Sequence, residues 1–194
     1  MHWSFFYFRK ILAIDRDPER MKLLNGIIEK NGVTCVKTIL GDVLKQDFAN
    51  NKSFKKVKYA LIDPACSGSG IFTRKDCNKN QSETGGQLDA ATEKRIDSLA
   101  NFQAMVLKHA LKNLPNLQRA VYSTCSVHEK ENEGVVNEAL ADPEVATRFR
   151  LIDPLPSWPH RGEGKWGGKM MRASPDKDFT NGFFVATFER KDSD

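Results

Sequence analysis

Apolar positions along the chain gather into short runs, with helix-period segments between them. KILAID, residues 10–15, reads as a buried strand ending on a carboxylate. A helix follows it. Asp17 is placed to cap that helix, Pro18 suits its first position, and Met21, Leu24 and Ile28 share a face before Asn31-Gly32 end it. VTCVKTILGD gives a second strand finishing at Asp42, and KYALIDPACSGSG a third with Asp63 at its tip. A helix carrying Leu99, Phe102, Val106 and Ala110 on one side leads into AVYSTCS, a fourth strand with Cys125 at its end. GFFVATFER, residues 182–190, is the last strand and is led in by Asn181-Gly182.

Strands alternating with amphipathic helices predict an α/β fold, a mostly parallel sheet covered on both faces. Ligands of such sheets sit beyond the carboxyl ends of the strands. Asp15, Asp42, Asp63 and Cys125 all fall at those ends. Two segments lack periodicity. Residues 73–92 are polar and read as a long loop, with Cys77 incidental to it. Residues 145–175 mix cations with Trp158, Trp166, prolines and glycines. Such a mixture suits RNA phosphates and splayed bases as well as it suits an ordinary surface loop. FKKVK at 54–58 reads as a basic surface leading into a strand.

Composition narrows the picture only a little. The 194 residues are 40% hydrophobic and 28% charged, as in a soluble domain of ordinary size, and no apolar run approaches a membrane span. MHWSFFYFRK lacks the build of a signal peptide. The net charge of +5 is a mild footprint compatible with a phosphate-rich partner. Cys35, Cys66, Cys77 and Cys125 form no C-x-x-C pair and there is no histidine cluster, so neither a structural metal nor a disulfide framework is expected.

Two of these cysteines carry the chemistry. Ser126 followed by Glu129 has the spacing of a capping box, which would place Cys125 just outside a helix running to about Leu140. The helix dipole would then favour the thiolate there. Cys66 follows Asp63 by three residues in DPACSGSG, where Pro64 stiffens the exit from the strand and Gly68 and Gly70 permit close backbone approach. A single free cysteine is most often a small buried hydrophobe. Two at two strand ends of one sheet suit chemistry that makes and then breaks a thioether bond.

DPACSGSG, YSTCS and ENEGVV together resemble the motifs of the Sun-domain RNA cytosine-5 methyltransferases, and the likeness runs from ILAIDRDPERMKLL to NGFFVATFER. ACSGSG, SWPHRGEG and MRASP look most like the subfamily that modifies large-subunit rRNA. The resemblance implies a Rossmann-like sheet and S-adenosyl-L-methionine as methyl donor. It makes Cys125 the nucleophile that adds to C6 of the target cytosine, and Cys66 the cysteine that assists release. Asp63 would lie near base and cofactor, Asp15 on the cofactor ribose, Arg20 in the cofactor site and Asp42 at the adenine. It further implies an rRNA partner, a nuclear or nucleolar setting, no membrane association and a monomer.

The family's first motif, a strand and glycine-rich loop, should precede KILAID, where only MHWSFFYFRK stands. The expectation is therefore an atypical segment at residues 1–10 and a partial catalytic domain at 11–194, its sheet gapped and its cofactor loop missing. A non-catalytic RNA-binding or assembly module is the alternative. A cysteine hydrolase would need His128 as its base.

Overall fold

A computed structural model describes residues 10–71 and 89–192. Residues 1–9, with most of the atypical N-terminal segment, and residues 72–88, with Cys77 and most of the long polar loop, lie outside the described residues. The chain divides into two compact units, one up to Asp47 and one from Phe48 onward.

In the first unit, β1 (Ile11–Asp15) and β2 (Val36–Leu40) pair in parallel with Asp15 opposite Leu40. The crossover between them is α1 (Pro18–Lys30). Its start is as the sequence predicts: the Asp17 carboxylate accepts the N–H groups of Glu19 and Arg20, at 2.9 and 3.1 Å, and Pro18 opens the first turn. Its end is set by Asn31 and by Gly32 at φ 62°, a left-handed position natural to glycine. Met21 is the buried residue of this helix.

The second unit contains β3 (Tyr59–Ile62), α2 (Ala90–Asn113), β4 (Arg119–Thr124), α3 (Glu133–Ala141) and α4 (Pro143–Arg148). It continues through β5 (Phe149–Ile152), β6 (Met170–Ala173), α5 (Pro175–Asp178) and β7 (Phe183–Arg190). The strand order is β3-β4-β7-β5, with β6 also paired to β7. Only β3 and β4 run parallel in this sheet; β7 is antiparallel to β4, β5 and β6. The sheet is thus mixed, where the alternation of elements predicted a mostly parallel one. The physical reason lies in the short return from β6 to β7, which suits an antiparallel neighbour, whereas a parallel one needs a crossover of about a dozen residues or more.

Tyr122, Phe184 and Phe188 from β4 and β7 form the buried middle, together with Leu107 and Leu111 of α2. The buried stripe of α2 also takes in Ile96, Gln103 and Ala110, while Leu99 and Phe102 are only half-buried. Residues 145–175 are more ordered than their pattern predicts. They supply part of α4 and all of β5 and β6, with Phe149, Leu151 and Met170 fully in the core.

Candidate active site

β3 and β4 are parallel neighbours with Ile62 opposite Tyr122, so the chain leaves both strands on the same side. Asp63 comes next after β3 and lies beside Ser123, whose hydroxyl donates to Asp63 Oδ1 at 3.3 Å. The two loops that follow run together, and Cys66 Sγ stands 3.2 Å from Cys125 Sγ. Asp63, Cys66 and Cys125 are therefore brought to one place, as their strand-end positions predicted. Both sulfurs belong to half-buried residues.

What holds the loops together is a buried carboxylate. Glu131 is fully buried. Its Oε1 accepts the Ser67 N–H and a Gln103 Nε2 hydrogen, both at 2.9 Å, and its Oε2 accepts the Ser126 hydroxyl at 2.6 Å. One side chain thus grips the residue after each cysteine. The Ser67, Ser69 and Ser126 hydroxyls lie 3.0–3.2 Å from one another beside it. Gln103 also donates to the Ala65 carbonyl at 2.9 Å, and the Tyr122 hydroxyl donates to the Glu131 carbonyl at 2.6 Å. Asn132, equally buried, spans Cys125: its Oδ1 accepts from Thr124 Oγ1 and its Nδ2 donates to the Ser126 carbonyl. Glu133 completes the run by taking Nε and Nη2 of Arg172 through two oxygens, a forked ion pair.

The expected capping box is not formed. Ser126 accepts the His128 N–H at 3.0 Å and gives its own proton to Glu131, not to a partnership with Glu129. A 3-10 turn at Glu129–Glu131 intervenes, and α3 begins only at Glu133. Cys125 consequently lies outside the reach of the α3 dipole, which fades within a turn. Burial, the Cys66 thiol beside it and the Asp63 charge push its pKa up to about 11, so the resting group is a thiol. Glu131 shows the opposite balance. Burial alone would raise its pKa, but the bonds from Ser126, Ser67 and Gln103 outweigh this and hold it below the usual range, as a carboxylate. His128 lines a shallow hollow with Glu93 and Ile96 of α2.

Gly70 matters here through its contact with backbone. A Cβ on Gly70 would stand 2.5 Å from the Gly182 carbonyl oxygen and 2.9 Å from that of Cys125. The gap is closed instead by two backbone hydrogen bonds, Gly70 N–H to the Cys125 carbonyl at 2.9 Å and Gly182 N–H to the Gly70 carbonyl at 2.8 Å.

In the first unit, Asp15 and Asp42 follow one another at adjacent strand ends. Asp15 Oδ1 accepts the Asp17 N–H at 2.8 Å and Arg20 Nη2 at 3.0 Å. Asp42 Oδ1 accepts the Leu44 N–H at 3.0 Å and so caps a short 3-10 turn. Of the two tryptophans, Trp158 is tied into the fold through Nε1 to the Arg172 carbonyl at 2.8 Å, and Trp166 carries the Lys165 ammonium 5.0 Å from its ring centre. In FKKVK, Phe54 is buried and Lys55 and Lys56 are exposed.

Glu131, Asn132 and Gln103 are the site residues that sequence reasoning missed. For Glu131 and Asn132 the signal lies in ENEGVV, part of the motif set that carries the family resemblance.

The α/β sheet has counterparts among the methyltransferases. The structure of NSun6 from Pyrococcus horikoshii with SFG superimposes with a TM-score of 0.67 at 25% identity, covering 94% of this chain and 42% of that one. The fold is that of the Rossmann-like, S-adenosylmethionine-dependent methyltransferases. Within that class the match becomes specific: residues 7–189 fit the model of the 16S rRNA methyltransferase RsmB/F family, and the chain belongs to it. It is 47% identical to the 26S rRNA (cytosine-C(5))-methyltransferase nsun-5 of Caenorhabditis elegans, over 93% of this chain and 40% of that protein. It is 42% identical to the 28S rRNA (cytosine-C(5))-methyltransferase of Mus musculus, over 93% of this chain and 37% of that protein. The chain thus spans about two-fifths of the length of these relatives.

Proposed function

We propose that this chain is catalytic-domain sequence of an RNA cytosine-5 methyltransferase acting on large-subunit rRNA, in keeping with a nucleolar setting. The observation that carries the reading is the 3.2 Å approach of Cys66 and Cys125 Sγ beside Asp63. Cys125 adds through Sγ to C6 of the cytosine, which makes C5 electron-rich. S-adenosylmethionine, when bound, supplies the methyl group that C5 takes. Release then requires that the C5 proton leave and the Sγ–C6 bond break, a step in which Cys66 assists. Asp63, at the exit of β3, holds the ring-nitrogen edge of the base. Because the Cys125 thiol titrates high, its proton must pass to a base as the bond to C6 forms; the Asp63 carboxylate, whose charge acts on Cys125, would take it and hand it to the ring nitrogen whose edge it holds.

Toward the cofactor, Asp15 suits the ribose hydroxyls, since a strand-end carboxylate can accept from both. Its Oδ1 is shared with Arg20 and the Asp17 N–H, so Arg20 acts by orienting Asp15. Asp42 is assigned to the adenine side, with one oxygen committed to its turn.

RNA carrying 5-fluorocytosine at the target position tests the reading. With S-adenosylmethionine present, a protein–RNA adduct stable to denaturing electrophoresis is expected, and Cys125→Ala abolishes it. Cys66→Ala accumulates adduct on unmodified cytosine RNA. Salt-sensitive RNA binding with no adduct would instead establish a non-catalytic binding module.

A further inference from the structure

Exposed apolar side chains lie near the Cys125 loop. Phe179 is 95% exposed, and Val127 and Phe183 are 40% and 38% exposed. Val127 and Phe183 border the junction where Gly182 bonds to Gly70 and Gly70 to the Cys125 carbonyl. Val127 is two residues past Cys125, and a Cβ on Gly182 would fall 2.8 Å from its Cγ1. Phe183 adjoins Gly182. Phe179 precedes it by three residues, a reach of at most about 10 Å. Phe179 is also held in a left-handed conformation, φ 54° and ψ 33°, as the residue that closes α5. Among the described residues it is the non-glycine residue with positive φ. A bulky residue pays strain at such a backbone position, and persistent strain of this kind gathers at ligand sites.

We infer that Phe179, exposed within about 10 Å of the Gly182 junction beside the Cys125 loop, is a stacking platform for an unpaired RNA base next to the target cytosine. This rests on the reading of Cys125 as the nucleophile. If a cytosine is to reach Cys125 Sγ, the nucleotides on either side of it must cross the residues that border Cys125. A single-stranded base stacks on an aromatic face irrespective of its identity. A cation for an adjoining phosphate is at hand, since Lys177 is exposed two residues before Phe179. A protein partner would find no such reason to abut the nucleophile.

The test uses the full chain and a 12-nucleotide single-stranded RNA with one central cytosine, plus copies abasic at the nucleotide before or after it. Fluorescence anisotropy gives the dissociation constants. Phe179→Ala weakens binding of the intact RNA about tenfold, and Phe179→Tyr restores it. On one of the two abasic RNAs the wild type shows the same loss and Phe179→Ala adds nothing to it. Phe179→Gly relieves the backbone strain, so its melting temperature rises while its RNA affinity falls, a divergence that a merely structural role would not give. Equal affinity of Phe179→Ala and wild type overturns the platform, as does an equal loss on all three RNAs. A change in sedimentation with RNA affinity unaltered would assign the surface to protein contact. Coupling to the abasic site without any 5-fluorocytosine adduct would keep the platform and sink the catalytic reading; an adduct without coupling would do the reverse. Failure of the wild type to bind RNA overturns both.

Discussion

Glu131, Asn132 and Glu133 are three consecutive polar residues, and all three are buried. Each is buried because partners come to it from afar: Ser67 and Gln103 to Glu131, Thr124 and Ser126 to Asn132, Arg172 to Glu133. A hydropathy reading cannot register this, since the compensating groups lie up to 64 residues away. The cysteines, by contrast, were legible, because a strand end and a short motif place them without reference to distant residues. Two variants separate charge from shape at Glu131. Removing it takes the acceptor from the Ser67 N–H and from a Gln103 amide hydrogen, so Glu131→Ala should lower unfolding free energy in urea by about 3 kcal/mol. Glu131→Gln keeps an acceptor for Ser67 and Gln103, and its amide can donate to Ser126 Oγ. It should lose less than half as much in the same titration.

Most elements could be read from period and punctuation. β1, α1, β2, β3, β4 and β7 stand where apolar runs, Asp17-Pro18 and Asn31-Gly32 put them. β5 and β6 escaped because strands of four residues, FRLI and MMRA, are too short to establish a period of two. Strand direction escaped too, since β7 looks the same from either end. At this scale the close approach of Gly70 to Gly182 and Cys125 is the critical joint. Both obstructing atoms are backbone, so neither can turn aside as a side chain might. Gly70→Ala should cost about 2–3 kcal/mol in denaturant unfolding and should also slow adduct formation, because the Cys125 carbonyl must shift. A loss of stability with adduct formation unchanged would show that the joint and the nucleophile move independently.

Two of the second unit's perturbed groups should set opposite pH limits. Glu131 is held below the ordinary 4.5 of a glutamate in the folded state, so its contribution is present above that value and is lost as pH falls through the lowered folded one. Cys125 is raised from an ordinary 9.0 to about 11, so its contribution is present below pH 9 and is lost as pH climbs toward 11. Melting temperature against pH should therefore fall at both ends. Glu131→Gln should flatten the acid limb alone and Cys125→Ala the alkaline limb alone. Steep limbs that persist in both variants would assign the pH dependence to other groups. Net charge, +5 for the chain, gave no hint of either limit, since both arise from burial and hydrogen bonding within the fold.

The two amide hydrogen bonds from Gly182 to Gly70 and from Gly70 to Cys125 join positions 112 and 55 residues apart into a single relay. Neither amide can reach solvent without parting the nucleophile loop from a neighbour. Hydrogen–deuterium exchange at these two glycines therefore clocks the opening fluctuations of Cys125 itself. Two residues with no side chain become the natural reporters of how often the reactive sulfur's loop comes loose.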